Sequence, residues 1–332
     1  MEPHIRKLFN QQILENAALH FGVKLEDLSE VGGFENFIYA YKNEGKEFIL
    51  RISHSSHRTY EQLLSELDFV NYLSNHHANV SIPIYSISNH LVEKVEAKDS
   101  YFTVSSYIKA EGERPKKSQF DESFCFNYGK TIGQFHKLAK EYKPDKGVIK
   151  RFNWDSDPLF IHAKSYLPDT DEIIYLRFRE LIDKLNRLPI HKNNYGLIHT
   201  DIHMGNFFIK DKKLCVFDFD DCSYMWFISD IAIALFYYLE FSMRDETDWI
   251  KISSHFMTHF MKGYLSENSL TRYDMESMDD FLKLRELVLY IVFYRSVDMS
   301  TDNFASQYIK KHRHRIIGHD KFIDIDFTQY LK

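Results

Sequence analysis

At 332 residues the chain is longer than one hydrophobic core usually serves, and 44% hydrophobic content is enough to fill two. A formal net charge of −6 argues against a nucleic-acid-binding surface, which needs a clustered basic face, and three cysteines without metal-ligand spacing fit reduced thiols better than a disulfide framework. The amino terminus lacks an apolar signal core and the longest buried-looking stretch, 231–239, is too short to span a membrane, so a cytoplasmic protein with no membrane segment is expected.

In chain order, residues 31–52 read as a strand hairpin entered by Gly32 and Gly33, a pair suited to a tight turn but short of a full Gly-x-Gly-x-x-Gly phosphate loop. In its second strand, alternation puts Phe48, Leu50 and Ile52 on one face and Glu47, Ile49 and Arg51 on the other. A cation on a mostly apolar strand calls for a partner. Tyr60, Leu63, Leu64, Leu67, Val70 and Leu73 recur at helical spacing, with Glu66 among them. Residues 101–108 form a further strand that runs into a charged, Pro-containing segment, so the chain is divided into 1–108 and 109–332. Residues 120–140 predict a long helix in which His136 is a packed residue.

Residues 199–206 read His-Thr-Asp-Ile-His-Met-Gly-Asn, and after two short strands at 207–209 and 214–217 comes Asp-Phe-Asp-Asp at 218–221. Asp201 and Asn206 stand five positions apart and Asp218 twelve further on, the order that phosphoryl transfer by a kinase uses for its base and its magnesium ligands. Asp201 can orient a hydroxyl and take its proton, while the Asn206 amide oxygen and the Asp218 carboxylate are hard ligands suited to Mg2+. Gly205 lets the loop turn between them. His199, Asp201 and His203 also have the composition of a transition-metal site, but that alternative leaves Asn206 and Asp218 without a task. His199 is better read as a residue that hydrogen-bonds the loop backbone.

The loop 199–206, Asp-Phe-Asp-Asp and the later Asp230-Ile231-Ala232 resemble the aminoglycoside phosphotransferase and choline kinase superfamily, a small-molecule kinase branch of the protein-kinase-like fold. Thr200 for Gly and Ile202 for Leu are mild departures from its usual loop. The resemblance implies an α+β, two-lobe fold: a small lobe with an antiparallel sheet and a large, mainly helical lobe. It makes Asp201 the catalytic base, Asn206 and Asp218 the metal ligands, and His199 and Asp230 structural supports. Gly32 and Gly33 would enter the nucleotide-covering hairpin. Arg51 would contact phosphate, oriented by Glu66, and the backbone from Ser106 to Ile108 would meet the adenine edge.

Only eleven residues separate Asp218 from Asp230, leaving little room for the activation segment of a protein kinase. The acceptor is therefore a small molecule. Asp220, Asp221, Tyr224 and Trp226 would meet a cationic acceptor by charge and ring faces, favouring an amino sugar, an amino alcohol or a hydroxy amino acid such as homoserine. The alternative is that Asp220 and Asp221 brace the loop. The basic run 310–315 reads as a solvated helix face or a phosphate or partner site. The expected function is ATP- and Mg2+-dependent phosphorylation of a small-molecule hydroxyl by a monomer or homodimer that binds neither nucleic acid nor membrane. A nucleotide-binding protein without turnover, kept open by Arg51, is the alternative.

Overall fold

The computed structural model describes residues 3–331. They form two compact units. The first holds the chain up to Glu113 together with Tyr142–Arg151 and Cys215–Asp220, and the second holds Arg114–Glu141, Phe152–Leu214 and the chain from Asp221 onward. The sequence division at 108 thus falls short, and it misses two returning segments. Their reason is local bonding within the first unit. The Tyr142 hydroxyl donates to Asp68 at 2.6 Å, and Val216 pairs with the 79–81 segment through Val216 N–H to Asn79 O at 3.0 Å and Ser81 N–H to Val216 O at 2.9 Å.

The first unit is built on a six-stranded sheet in the order Ser29–Gly32, Phe37–Asn43, Lys46–His54, Ser100–Ile108, Pro83–Ile84, with Glu93–Ala97 also paired to Ser100–Ile108, all antiparallel. Alternation sends Leu50 and Ile52 to the face where Val95, Phe102 and Val104 pack against Ile13 and Ala17 of the helix Gln11–Leu19. That helix starts where the Asn10 side chain accepts the Ile13 N–H at 3.1 Å. The helix Tyr60–Asn75, opened by a Thr59/Gln62 capping box, contributes Leu63 and Leu67 to a second cluster with Val92 and Tyr107. Each fully buried side chain of this size stabilises the fold by roughly 1.5–3 kcal/mol. Arg51 lies in the middle of the sheet, opposite Ile38 on one side and Ser105 on the other.

The second unit is mainly helical. The helix Glu122–Ala139 meets Trp249–Leu265 at glycines: a Cβ on Gly129 would lie 1.9 Å from the Phe260 carbonyl oxygen, and one on Gly263 would lie 1.9 Å from that of Phe126. Any side chain there would drive the helices apart. The helix Ile228–Tyr237 is buried at every position and packs beside Met278–Ser296. It ends in a π-helical turn, Tyr238–Ser242. A two-stranded antiparallel pair, Tyr195–Ile198 with Ser223–Trp226, sets Ile198 opposite Ser223.

The basic run lies on the helix Phe304–Gly318, where Lys310, Lys311 and His314 are on the solvated face expected, and Lys311, His312, Arg313 and Arg315 reach carboxylates. Lys311 pairs with Glu240 at 2.8 Å, His312 and Arg315 with Glu286 at 2.6 and 2.7 Å, and Arg313 with Asp171 at 2.9 Å. The carboxylates are buried, so the cations serve to neutralise them.

Candidate active site

In the second unit, the strand Tyr195–Ile198 delivers the chain into the 199–206 loop, and Asp230 holds the entry. Its carboxylate accepts the His199 N–H at 3.2 Å and the Thr200 N–H at 2.8 Å, and it lies 3.2 Å from His136 Nε2. His136 is fully buried, stacked on Phe227, and burial lowers its pKa against the pull of Asp230. Thr200 has φ 61°, a left-handed conformation that strains a β-branched residue. Its departure from the family's glycine is therefore costlier than the sequence indicates. Two contacts hold the strained residue: Asp230 on its N–H, and the Thr200 hydroxyl donating to the Asp221 carbonyl at 2.5 Å.

Asp201 stands at the end of this turn with its side chain 20% exposed. The Asn206 amide nitrogen donates to its carbonyl oxygen at 2.9 Å and to Oδ2 at 3.0 Å. A carboxylate only accepts, so the amide must present nitrogen to Asp201, which leaves its Oδ1 as the atom able to ligate a cation. The His203 Nδ1 accepts the Gly205 N–H at 2.9 Å, and the ring proton therefore sits on Nε2, 3.4 Å from Asp201 Oδ2. The His199 Nδ1 accepts the Asp201 N–H at 3.3 Å. Both rings brace the loop, and among the described residues no group of three or more His, Cys, Asp or Glu side chains could hold a metal ion. The Tyr128 hydroxyl fixes the Ile202 carbonyl at 2.6 Å.

Arg285 is the residue that the sequence did not disclose. It comes from the helix Met278–Ser296, eighty-four positions from Asp201, and its guanidinium donates to Asp201 Oδ1 and to the Tyr237 hydroxyl while lying 4.8 Å from the Tyr237 ring centroid. The available signal was a cation between the buried Leu284 and Leu287. Burial pushes the Asp201 carboxyl up, but His203 and Arg285 overcome it and hold the group well below the usual carboxylate range. Asp201 is ionised at neutral pH.

In the first unit, Arg51 donates to Glu66 at 2.8 Å with both side chains buried, and its other amino group lies 3.9 Å from Asp218 Oδ1. Asp218 has φ 65° and a side chain 48% exposed, so a hard carboxylate faces outward beside a cation. Two residues on, Asp220 is buried: His57 Nε2 lies 2.5 Å from its Oδ2, Arg58 Nε lies 3.6 Å from its Oδ1, and Arg58 and Arg151 both donate to its carbonyl. Burial raises its pKa, yet His57 and Arg58 hold it well below the ordinary value.

These positions correct three expectations. Asp220 is a brace and not a substrate contact, because its charge is taken up by His57 and Arg58. Trp226 is buried, with its indole N–H donating to the Pro189 carbonyl at 3.0 Å and its ring packed on Trp154, so no face is open to a ligand. The main chain of Ser106 and Ile108 is used inside the sheet: Ser106 pairs with Ile84, Ile108 N–H donates to Ile82 at 2.8 Å, and Ile108 O accepts from Ser81 Oγ at 2.7 Å. The Ile108 N–H is therefore not open to an adenine edge. Asp221 is exposed and Tyr224 half-buried, the latter's carbonyl accepting from the Tyr195 hydroxyl at 2.8 Å. Gly32 and Gly33 have φ 115° and 138°, and a Cβ on Gly33 would strike the Asn36 carbonyl oxygen at 2.0 Å, so this turn admits glycine alone at Gly33.

The fold and the loop define a phosphotransferase. The phosphotransferase enzyme family matches residues 27–264, and the chain belongs to that family, with its protein-kinase-like fold. Amicoumacin kinase of Bacillus subtilis (strain 168) is 31% identical over 299 residues, which is 90% of this chain and 89% of that protein. An amicoumacin kinase solved in complex with AMP-PNP, Ca2+ and Ami matches with TM-score 0.94 at 31% identity over 99% of both chains. A microcompartment-associated aminopropanol kinase matches with TM-score 0.74 at 20% identity over 94% of this chain and 98% of that one, a likeness of fold. The protein is a small-molecule kinase that uses ATP and a divalent cation to phosphorylate a hydroxyl.

Proposed function

We propose that the acceptor is an amine-bearing small molecule, an amicoumacin-like compound or an amino alcohol, and that Asp201 receives its hydroxyl. One observation carries the reading: a carboxylate held ionised has donors on both oxygens yet keeps a lone pair. Oδ2 takes Asn206 and His203, and Oδ1 takes Arg285, so of about four lone-pair positions the one left open lies on Oδ1. The acceptor hydroxyl donates there. Its proton passes to Asp201 as the oxygen bonds the terminal phosphorus of ATP and the bond from that phosphorus to the bridging oxygen breaks, releasing ADP. Arg51, oriented by Glu66, binds phosphate oxygens, with the Gly32–Gly33 turn covering the nucleotide. The Asn206 Oδ1 and the Asp218 carboxylate would hold Mg2+, whose oxygen preference fits this donor set. When bound, the ion neutralises charge on the phosphates.

Asp221 supplies the acidic character expected of a cation-binding acceptor site, with Tyr224 beside it in the chain. The buried thiols of Cys125, Cys215 and Cys222 support a reducing, cytoplasmic setting, and the carboxylate pairing of Lys311 and Arg315 in the basic run supports a small-molecule acceptor over nucleic acid. The protein works as a monomer or homodimer. The test is ADP release with ATP and Mg2+ against a panel containing amicoumacin, aminopropanol, choline, homoserine and neutral alcohols. Selective turnover of amine-bearing acceptors is expected, and Asp221→Asn should raise KM for them, less so at high salt. Turnover confined to neutral or anionic alcohols would refute the acceptor assignment.

A further inference from the structure

We infer that Arg285 is a positioning residue for phosphoryl transfer, fixing the direction in which the Asp201 carboxylate presents its open lone pair. This rests on Asp201 being the residue that receives the acceptor hydroxyl. Asn206 grips Asp201 through the backbone carbonyl and Oδ2, and His203 approaches the same Oδ2. With those donors alone the carboxylate is held by one oxygen, and the last torsion of an aspartate is soft. Arg285 holds the other oxygen.

The guanidinium is itself immobilised. Its central carbon lies 4.8 Å from the Tyr237 ring centroid, the Tyr237 hydroxyl accepts from the same amino group that reaches Asp201, and Tyr237 is in turn packed by His203 at 4.4 Å between ring centroids. The helix that carries Arg285 is otherwise leucine-rich on its buried side, and Arg285 Nε is buried without a hydrogen-bond partner among the described residues. An arginine placed for stability alone would be satisfied along its whole fork. This one leaves Nε without a partner among the described residues, while the amino group beyond it meets Asp201 and Tyr237. A planar fork also fixes direction, which an ammonium cannot do.

The experiment uses the full chain and follows kcat, KM for ATP and rescue by added guanidinium. Arg285→Ala should lower kcat by about 10²-fold, the scale of a small misplacement in a reacting group, with KM for ATP little changed. Millimolar guanidinium should restore part of that turnover, and sodium chloride at equal ionic strength should not. Arg285→Lys, which keeps charge without the fork, and Tyr237→Phe should fall between wild type and Arg285→Ala. Should Arg285→Ala not fold, Arg285→Lys decides: wild-type kcat overturns the inference, and reduced kcat with unchanged KM for ATP supports it. Asp201→Asn separates the two claims. If it is inactive while Arg285→Ala turns over normally, or if guanidinium gives no rescue, the positioning role is wrong. If Asp201→Asn itself turns over normally, the Asp201 reading falls.

Discussion

The 199–206 loop of the second unit and the 218–220 segment of the first solve the same problem with opposite charges. Each carries a non-glycine residue in the left-handed region beside a working carboxylate, Thr200 at φ 61° and Asp218 at φ 65°. Such conformations cost of order 1–3 kcal/mol and persist only where the surroundings enforce them. In the loop the enforcer is an anion, Asp230, which accepts two successive backbone N–H groups. In the segment it is His57 with the cations Arg58 and Arg151, which hold the Asp220 side chain and carbonyl. A buried charge is costly unless paired, so each clamp holds strongly because its partners have nowhere else to turn.

The comparison can be broken by removing one clamp at a time. Asp220→Ala leaves His57 and Arg58 without their shared anion and should destabilise the protein by about 3–5 kcal/mol, read as a fall in Tm. A loss under about 1 kcal/mol would mean that the 218–220 segment is held by other means. Arg51→Ala and Glu66→Ala should be non-additive, with a coupling of about 0.5–3 kcal/mol in a double-mutant cycle on kcat/KM. Additivity would make them independent charges. Asp218→Ala and Asn206→Ala should each weaken ATP binding more with Mg2+ present than without it, which calorimetry would detect, and equal losses in both conditions would speak against metal ligation.

The smallest effect concerns pH. Burial lowers the folded-state pKa of His136, so below about pH 6.5 the unfolded chain takes up a proton that the folded chain refuses. Stability from neutral His136 is complete above that pH and falls with a slope of up to about 1.4 kcal/mol per pH unit as pH drops. His136→Gln should flatten Tm between pH 7 and 5 relative to wild type. An unchanged slope would assign the acid sensitivity to other groups.

What was legible in the sequence follows from chain distance. The loop, the Asp-Phe-Asp-Asp segment and the Arg51 strand are short motifs or alternations, and Arg51 finds Glu66 only fifteen positions away. Apolar periodicity gave the helices at 60–73 and 120–140 to within a few residues. Arg285 was hidden because its partner lies eighty-four positions off and no local pattern marks it. Asp220 takes the bracing alternative and Trp226 is buried against expectation because neighbours in sequence do not share burial: Asp218 is half exposed and Asp220 is not. The glycine contacts at Gly129 and Gly263 escaped for the same reason, since close helix approach is a property of two segments together.

The most direct test of the account is Asp201→Asn, measured for turnover and for nucleotide affinity in the same preparation. The amide keeps the shape of the side chain but cannot take the acceptor's proton, so kcat should fall by about 10²- to 10⁴-fold while the Kd for ATP with Mg2+ stays near wild type. Near-native turnover, or a loss explained entirely by weaker ATP binding, would contradict the assignment of the chemistry to this loop.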